Sequence, residues 1–72
     1  MILEKLDELF RYELSWVDKY LEGEDSIGRR QEIVWNAIQR CLGAADLAQR
    51  FETYAEVSEM YESVRLALME RM

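Results

Sequence analysis

The chain has no histidine, no proline, one cysteine and three glycines. Each shortage excludes something. Without histidine there is no ordinary zinc or haem site, and no imidazole to act as general base or to activate a nucleophile. A single cysteine cannot close an intrachain disulfide. Without proline, and with few glycines, little interrupts long helices. Long apolar runs are missing too. The opening MILEKLDELF breaks its apolar positions with charge at short intervals, so it reads as neither signal peptide nor transmembrane helix. A soluble cytoplasmic protein is the expectation, and a lone thiol suits a reducing compartment.

Positive charge is also scarce. Nine Lys and Arg face fifteen Asp and Glu, for a net charge of −6. Binding to a phosphate backbone needs clustered cations, and an anionic membrane surface repels such a chain. No nucleic acid and no membrane are therefore expected as partners. What remains is hydrophobic content: half of the 72 residues are apolar, with two Trp, four Tyr and two Phe. Seventy-two residues make one small domain with little core to spare. With disulfide and zinc closed off, regular helix packing and self-association are the routes left to stability.

Apolar residues recur at helical spacing almost throughout. The pattern predicts an all-α three-helix bundle with helices over about 2–22, 27–50 and 54–71, associating into a larger helical oligomer. Gly23 is placed to cap the first helix in a left-handed conformation. Asp25 or Ser26 can cap the second. Thr53 and Glu56 form a T-x-x-E capping box at the head of the third.

Placed at 100° steps, the third helix carries one stripe about 140° wide: Val57, Met60, Tyr61, Val64, Ala67 and Leu68. On the first helix, Leu3, Leu6, Phe10, Leu14, Val17 and Leu21 form the main stripe. Leu9, Tyr12, Trp16 and Tyr20 widen it to about 200°. The second helix centres on Ile27, Val34, Ile38, Cys41, Ala45 and Ala48. Trp35 and Leu42 lie to one side, with Ile33, Ala44 and Phe51 on the other. Two neighbours cover about 150–180° of each helix. The excess on the first two helices, rich in Trp and Tyr, predicts a second contact surface.

In the middle stands WNAIQRCLGAADLAQRF. Cys41 lies in the centre of the stripe, away from any helix N-terminus, so it reads as a small buried hydrophobe rather than a nucleophile. Gly43 projects to the opposite side, beside Asn36, Arg40 and Leu47. A glycine there costs about 1 kcal/mol relative to alanine. Either the helix bends at Gly43 or a second chain comes close to its back.

The carboxylates Glu56, Glu59 and Glu62, and Glu4, Asp7 and Glu8, are spaced so that pairs could present themselves to Mg²⁺. They lie opposite the apolar stripe and read as a solvated face. Glu13 falls inside the apolar arc and requires a partner, an arginine of the second or third helix such as Arg30 or Arg71. Arg29 and Arg30 open the second helix, where the macrodipole disfavours cations. Glu22, Glu24 and Asp25 stand ready to neutralise them.

The expected protein is thus a self-associating interaction module and not an enzyme, with no cofactor and no bound metal. A homo-oligomer, first of all a dimer, is expected, with a further protein partner besides. Its interface is predicted to include Leu9, Tyr12, Trp16, Tyr20, Trp35, Leu42, Gly43 and Leu47. Two other classes stand beside it: an acidic decoy or inhibitor of a nucleic-acid-binding protein, and a Mg-dependent helical enzyme using the Glu runs.

Overall fold

The structure, a computed structural model, describes residues 2–72. Three helices pack against one another: α1 (Ile2–Leu21), α2 (Ile27–Ala48) and α3 (Tyr54–Met69). The short connections send α2 back along α1 and α3 back along α2, so α1 and α3 run parallel. The bundle measures 40 × 16 × 15 Å. Among the described residues there is no strand.

The core joins one stripe from each helix. Leu6, Phe10, Val17 and Leu21 come from α1, and Val57, Val64 and Leu68 from α3. Between them α2 inserts Val34, Ile38 and four small side chains, Ala37, Cys41, Ala45 and Ala48. Leu3, Leu14, Met60 and Tyr61 pack against its margin. These are the predicted stripes, with one addition and one departure. Ala37 is fully buried although it stands to one side of the predicted centre. Ile27 was expected in the stripe but is 72% exposed. It is the first residue of α2, and a helical side chain leans toward its own N-terminus, so Ile27 projects past the end of the bundle.

The helices stop a little short of the predicted limits. α1 ends at Leu21 because Gly23 takes the left-handed conformation, φ +72°, with Glu24 N–H donating to Leu21 O at 3.1 Å. Ser26 is the N-cap of α2, its hydroxyl accepting from Arg29 N–H at 3.3 Å. After Ala48 and after Met69 the backbone tightens. Arg50 N–H donates to Leu47 O and Arg71 N–H to Leu68 O, both three residues back, which is how helices commonly finish. Thr53 occupies the N-cap position of α3, but its side chain makes no capping bond. The predicted capping box is therefore not formed. The start of α3 rests instead on the Thr53 carbonyl, which accepts from Val57 N–H at 3.2 Å, and on complete burial of Val57.

Arg30 explains why a cation is tolerated early in α2. Its guanidinium donates to Leu21 O (3.4 Å), Glu24 O (3.1 Å) and Arg71 O (3.4 Å). These carbonyls follow from the C-terminal ends of α1 and α3, where helix dipoles favour positive charge. Beside it, Arg71 donates to both carboxylate oxygens of Asp18, at 2.6 and 3.3 Å. This pins the C-terminal ends of the two parallel helices together.

α2 is continuous through Gly43. A Cβ built there would meet nothing within 4 Å, so no neighbouring helix of the chain requires the glycine. Gly43→Ala is therefore expected to stabilise the fold by about 0.5–1 kcal/mol. Gly23→Ala, forced into the left-handed region, should cost about 1 kcal/mol. Thermal denaturation separates the two, since each kcal/mol moves Tm by about 4–8 °C in a domain of this size.

Candidate functional site

Among the described residues Glu13 is the one buried charged residue, 7% exposed. The helical repeat places it on the edge of α1 that faces α2, and Arg40 on the edge of α2 that faces α1. Arg40 Nε donates to both carboxylate oxygens at 2.8 Å. The partner is thus Arg40 rather than Arg30 or Arg71, which are taken up at the far end of the bundle. Hydrogen bonding to Glu13 raises the Arg40 pKa above its ordinary value, outweighing partial burial. The pair crosses the α1–α2 seam between two stretches of outer surface, which meet along α1 where exposed Leu9 and Tyr12 stand one turn apart.

On one side of it lies an aromatic run. Tyr12, Trp16 and Tyr20 follow one another at four-residue spacing, which stacks side chains along one helix face. Tyr12 meets Trp16 edge to face, with ring centroids 5.8 Å apart. Tyr20 stacks on Trp16 at 5.3 Å. The Lys19 ammonium sits 5.1 Å from the Trp16 ring, within cation–π range. Trp16 is half-buried, whereas Tyr12 and Tyr20 are exposed. Beyond Tyr20 a small polar recess of about 170 Å³ is lined by Arg29, Ile33, Asn36 and Arg40.

On the other side the surface is apolar. Ile2, Leu6 and Leu9 of α1 face Ala44, Leu47 and Ala48 of α2, with Phe51 beyond, across a groove of about 290 Å³. Leu47 is 58% and Phe51 65% exposed. Among the described residues, Lys5 supplies the only charge on its lining.

Of the predicted interface residues, the structure brings Leu9 and Leu47 into this groove and Tyr12, Trp16 and Tyr20 into the adjoining run. Gly43 lies on the outward face of α2 close to Leu47. Trp35 and Leu42 are exposed, but the 100° repeat places Trp35 about 140° from Arg40 around α2. They stand on the edge turned away from α1. Ala44 and Phe51, predicted as one flank of the second helix's stripe, also line the groove, together with Ile2 and Lys5, which the wheel of one helix does not single out. The signal was present in the pairing of antiparallel helices, since the start of α1 must lie opposite the end of α2.

The other candidate groups are accounted for locally. Burial pushes the Cys41 thiol up to about 11, so thiolate is scarce at neutral pH. Glu62 pairs with Arg65, Asp7 with Arg11, and Arg29 with Glu32 and Glu24. Among the described residues no group of three or more His, Cys, Asp or Glu is arranged to hold a metal ion. No helix among them is long and apolar enough to cross a membrane. No family model, curated protein or solved structure matches the chain.

Two measurements test this description. Arg40→Leu leaves Glu13 buried without its donor and should cost about 1–3 kcal/mol in urea unfolding. Glu13→Leu combined with Arg40→Leu should recover most of that loss, because removing both partners of a buried pair is close to neutral. Cys41 should resist alkylation at neutral pH in the folded protein and react at the rate of global unfolding. Fast labelling under native conditions would contradict its burial.

Proposed function

We propose that this protein is a non-enzymatic helical interaction module that associates with a second copy of itself, as a dimer, through the outer face of α1 and the α1–α2 groove. The observation that carries the reading is the continuity of that groove with the aromatic run. Isolated exposed hydrophobes are ordinary on a protein surface, but a connected patch is characteristic of an interface. Here Leu9, Leu47 and Phe51 adjoin, and Tyr12, Trp16 and Tyr20 follow along α1. Tyr and Trp bury large area at low entropic cost, which suits them to interface centres. The open space at Gly43 lets a facing helix come close beside Leu47. Trp35 and Leu42 extend the contact for a partner that wraps over the back of α2 across Gly43.

The chemistry points away from catalysis. The one thiol is buried and weakly acidic, and the carboxylates are solvated or paired with arginine. A lone reduced cysteine suits a cytoplasmic location.

Light scattering from micromolar to millimolar protein tests the reading. Twice the chain mass is expected at the upper end. Leu47→Asp should raise the dimer dissociation constant by about tenfold or more, as for a central apolar contact. Trp16→Ala and Trp35→Ala should weaken association more than Leu66→Ala, which lies on the far side of α3. A strict monomer throughout would refute self-association. Equal effects of all the substitutions would refute the surface.

A further inference from the structure

A broad groove lies between α1 and α3. These parallel helices meet less closely than either meets α2. Their C-terminal ends are pinned by Asp18 and Arg71. Away from that pin a groove of about 570 Å³ opens, floored by Phe10, Leu14, Met60, Val64 and Ala67. Its floor is apolar and its rims are polar: Asp7 and Arg11 on α1, Glu59 and Ser63 on α3. In cross-section this is a helical bundle open on one side.

The charge on the rims selects what fits. Arg11 is engaged by Asp7 at 2.8 Å. Glu59, Glu56 one turn earlier on α3, and Glu4 one turn before Asp7 on α1 make no ion pair among the described residues. The positive N-terminal ends of α1 and α3 lie at this end and offset part of that charge. Three carboxylates against two half-charges still leave the rim anionic. A second copy, itself at net charge −6, would bring like charge to it.

We propose that the α1–α3 groove binds a cationic amphipathic helix of another protein. Its apolar stripe lies on Phe10, Leu14, Met60, Val64 and Ala67, and its Lys or Arg side chains face Glu59, Glu56 and Glu4. From Asp7 to Leu14 the groove is about 12 Å long, which matches two turns and apolar anchors at i, i+4 and i+7. This is a different face from the one assigned to self-association, so each stands or falls separately.

The test is an NMR titration of the full chain with a model peptide of leucine and lysine, about 18 residues or five turns, with leucines at i, i+3, i+4 and i+7. The same pattern written with glutamate is the control. Expected are shifts at Leu14, Met60, Ser63 and Ala67 with the lysine peptide, binding that weakens as salt rises, and no binding of the glutamate peptide. Glu59→Lys, at an exposed position, should weaken binding about tenfold. Ala67→Trp should abolish it by filling the groove, with retention of the fold checked by circular dichroism. If Ala67→Trp unfolds, Glu59→Lys decides alone. Titrating the Leu47→Asp variant separates peptide binding from self-association and should give the same affinity. The proposal is overturned by absence of binding, by shifts confined to the α1–α2 groove, by equal binding of both peptides, or by an unchanged affinity in Glu59→Lys.

Discussion

Ala37, Cys41, Ala45 and Ala48 are all buried on one face of α2, and the spacing of the three helices depends on them. A central helix with long side chains on this face would hold both neighbours away. Short ones let Leu6, Phe10 and Val17 from one side and Val57 and Leu68 from the other fill the same layer. Close-packed interiors require that kind of alternation between large and small. The bundle's slender section of 16 × 15 Å follows from it. The Cys41 thiol belongs to the same seam and is fully buried in it. Beside the seam, Leu9, Leu47 and Phe51 remain exposed, and they make the α1–α2 groove apolar.

Polar contacts then arrange themselves around this core. Glu13 is the exception that reaches inside, and it does so at an edge where Arg40 keeps half of its own side chain in water. Such a pair adds little net stability compared with well-packed apolar residues, but it tolerates only one rotation of α1 against α2. Hydrogen bonding from Arg71 lowers the Asp18 pKa below its ordinary value, with the same effect on α1 and α3. Register is fixed at these two points, and the packed stripes supply most of the free energy.

Much of this is legible in the pattern of residues. Three helices, their apolar stripes, the left-handed cap at Gly23 and the cap at Ser26 all follow from local periodicity and local backbone chemistry. What local pattern does not contain is how far each helix is turned toward its neighbours. That rotation decides that Arg40 meets Glu13 while Arg30 and Arg71 close the far end. It also separates Trp35 and Leu42 from the α1 flank, although single-helix wheels place all of them beside apolar stripes. Ile27 and Thr53 depart at element ends, where Ile27 has nothing packed over it and the Thr53 side chain makes no capping bond. Gly43 is a residue whose wheel position was right, on the outward face of α2, where no neighbouring helix of the chain requires a glycine.

α1 is held differently along its length. Its later half is tied by directional bonds: Glu13 to Arg40, Asp18 to Arg71, and Leu21 O to Arg30. Among the described residues, no hydrogen bond joins residues 2–12 to another helix. That half is held by apolar side chains, chiefly Leu3, Leu6 and Phe10, through contacts that are non-directional and weaken on cooling. The molecule is therefore built like tweezers, clasped at one end and closed at the other only by oil. The half of α1 without such ties is also the half that borders both grooves.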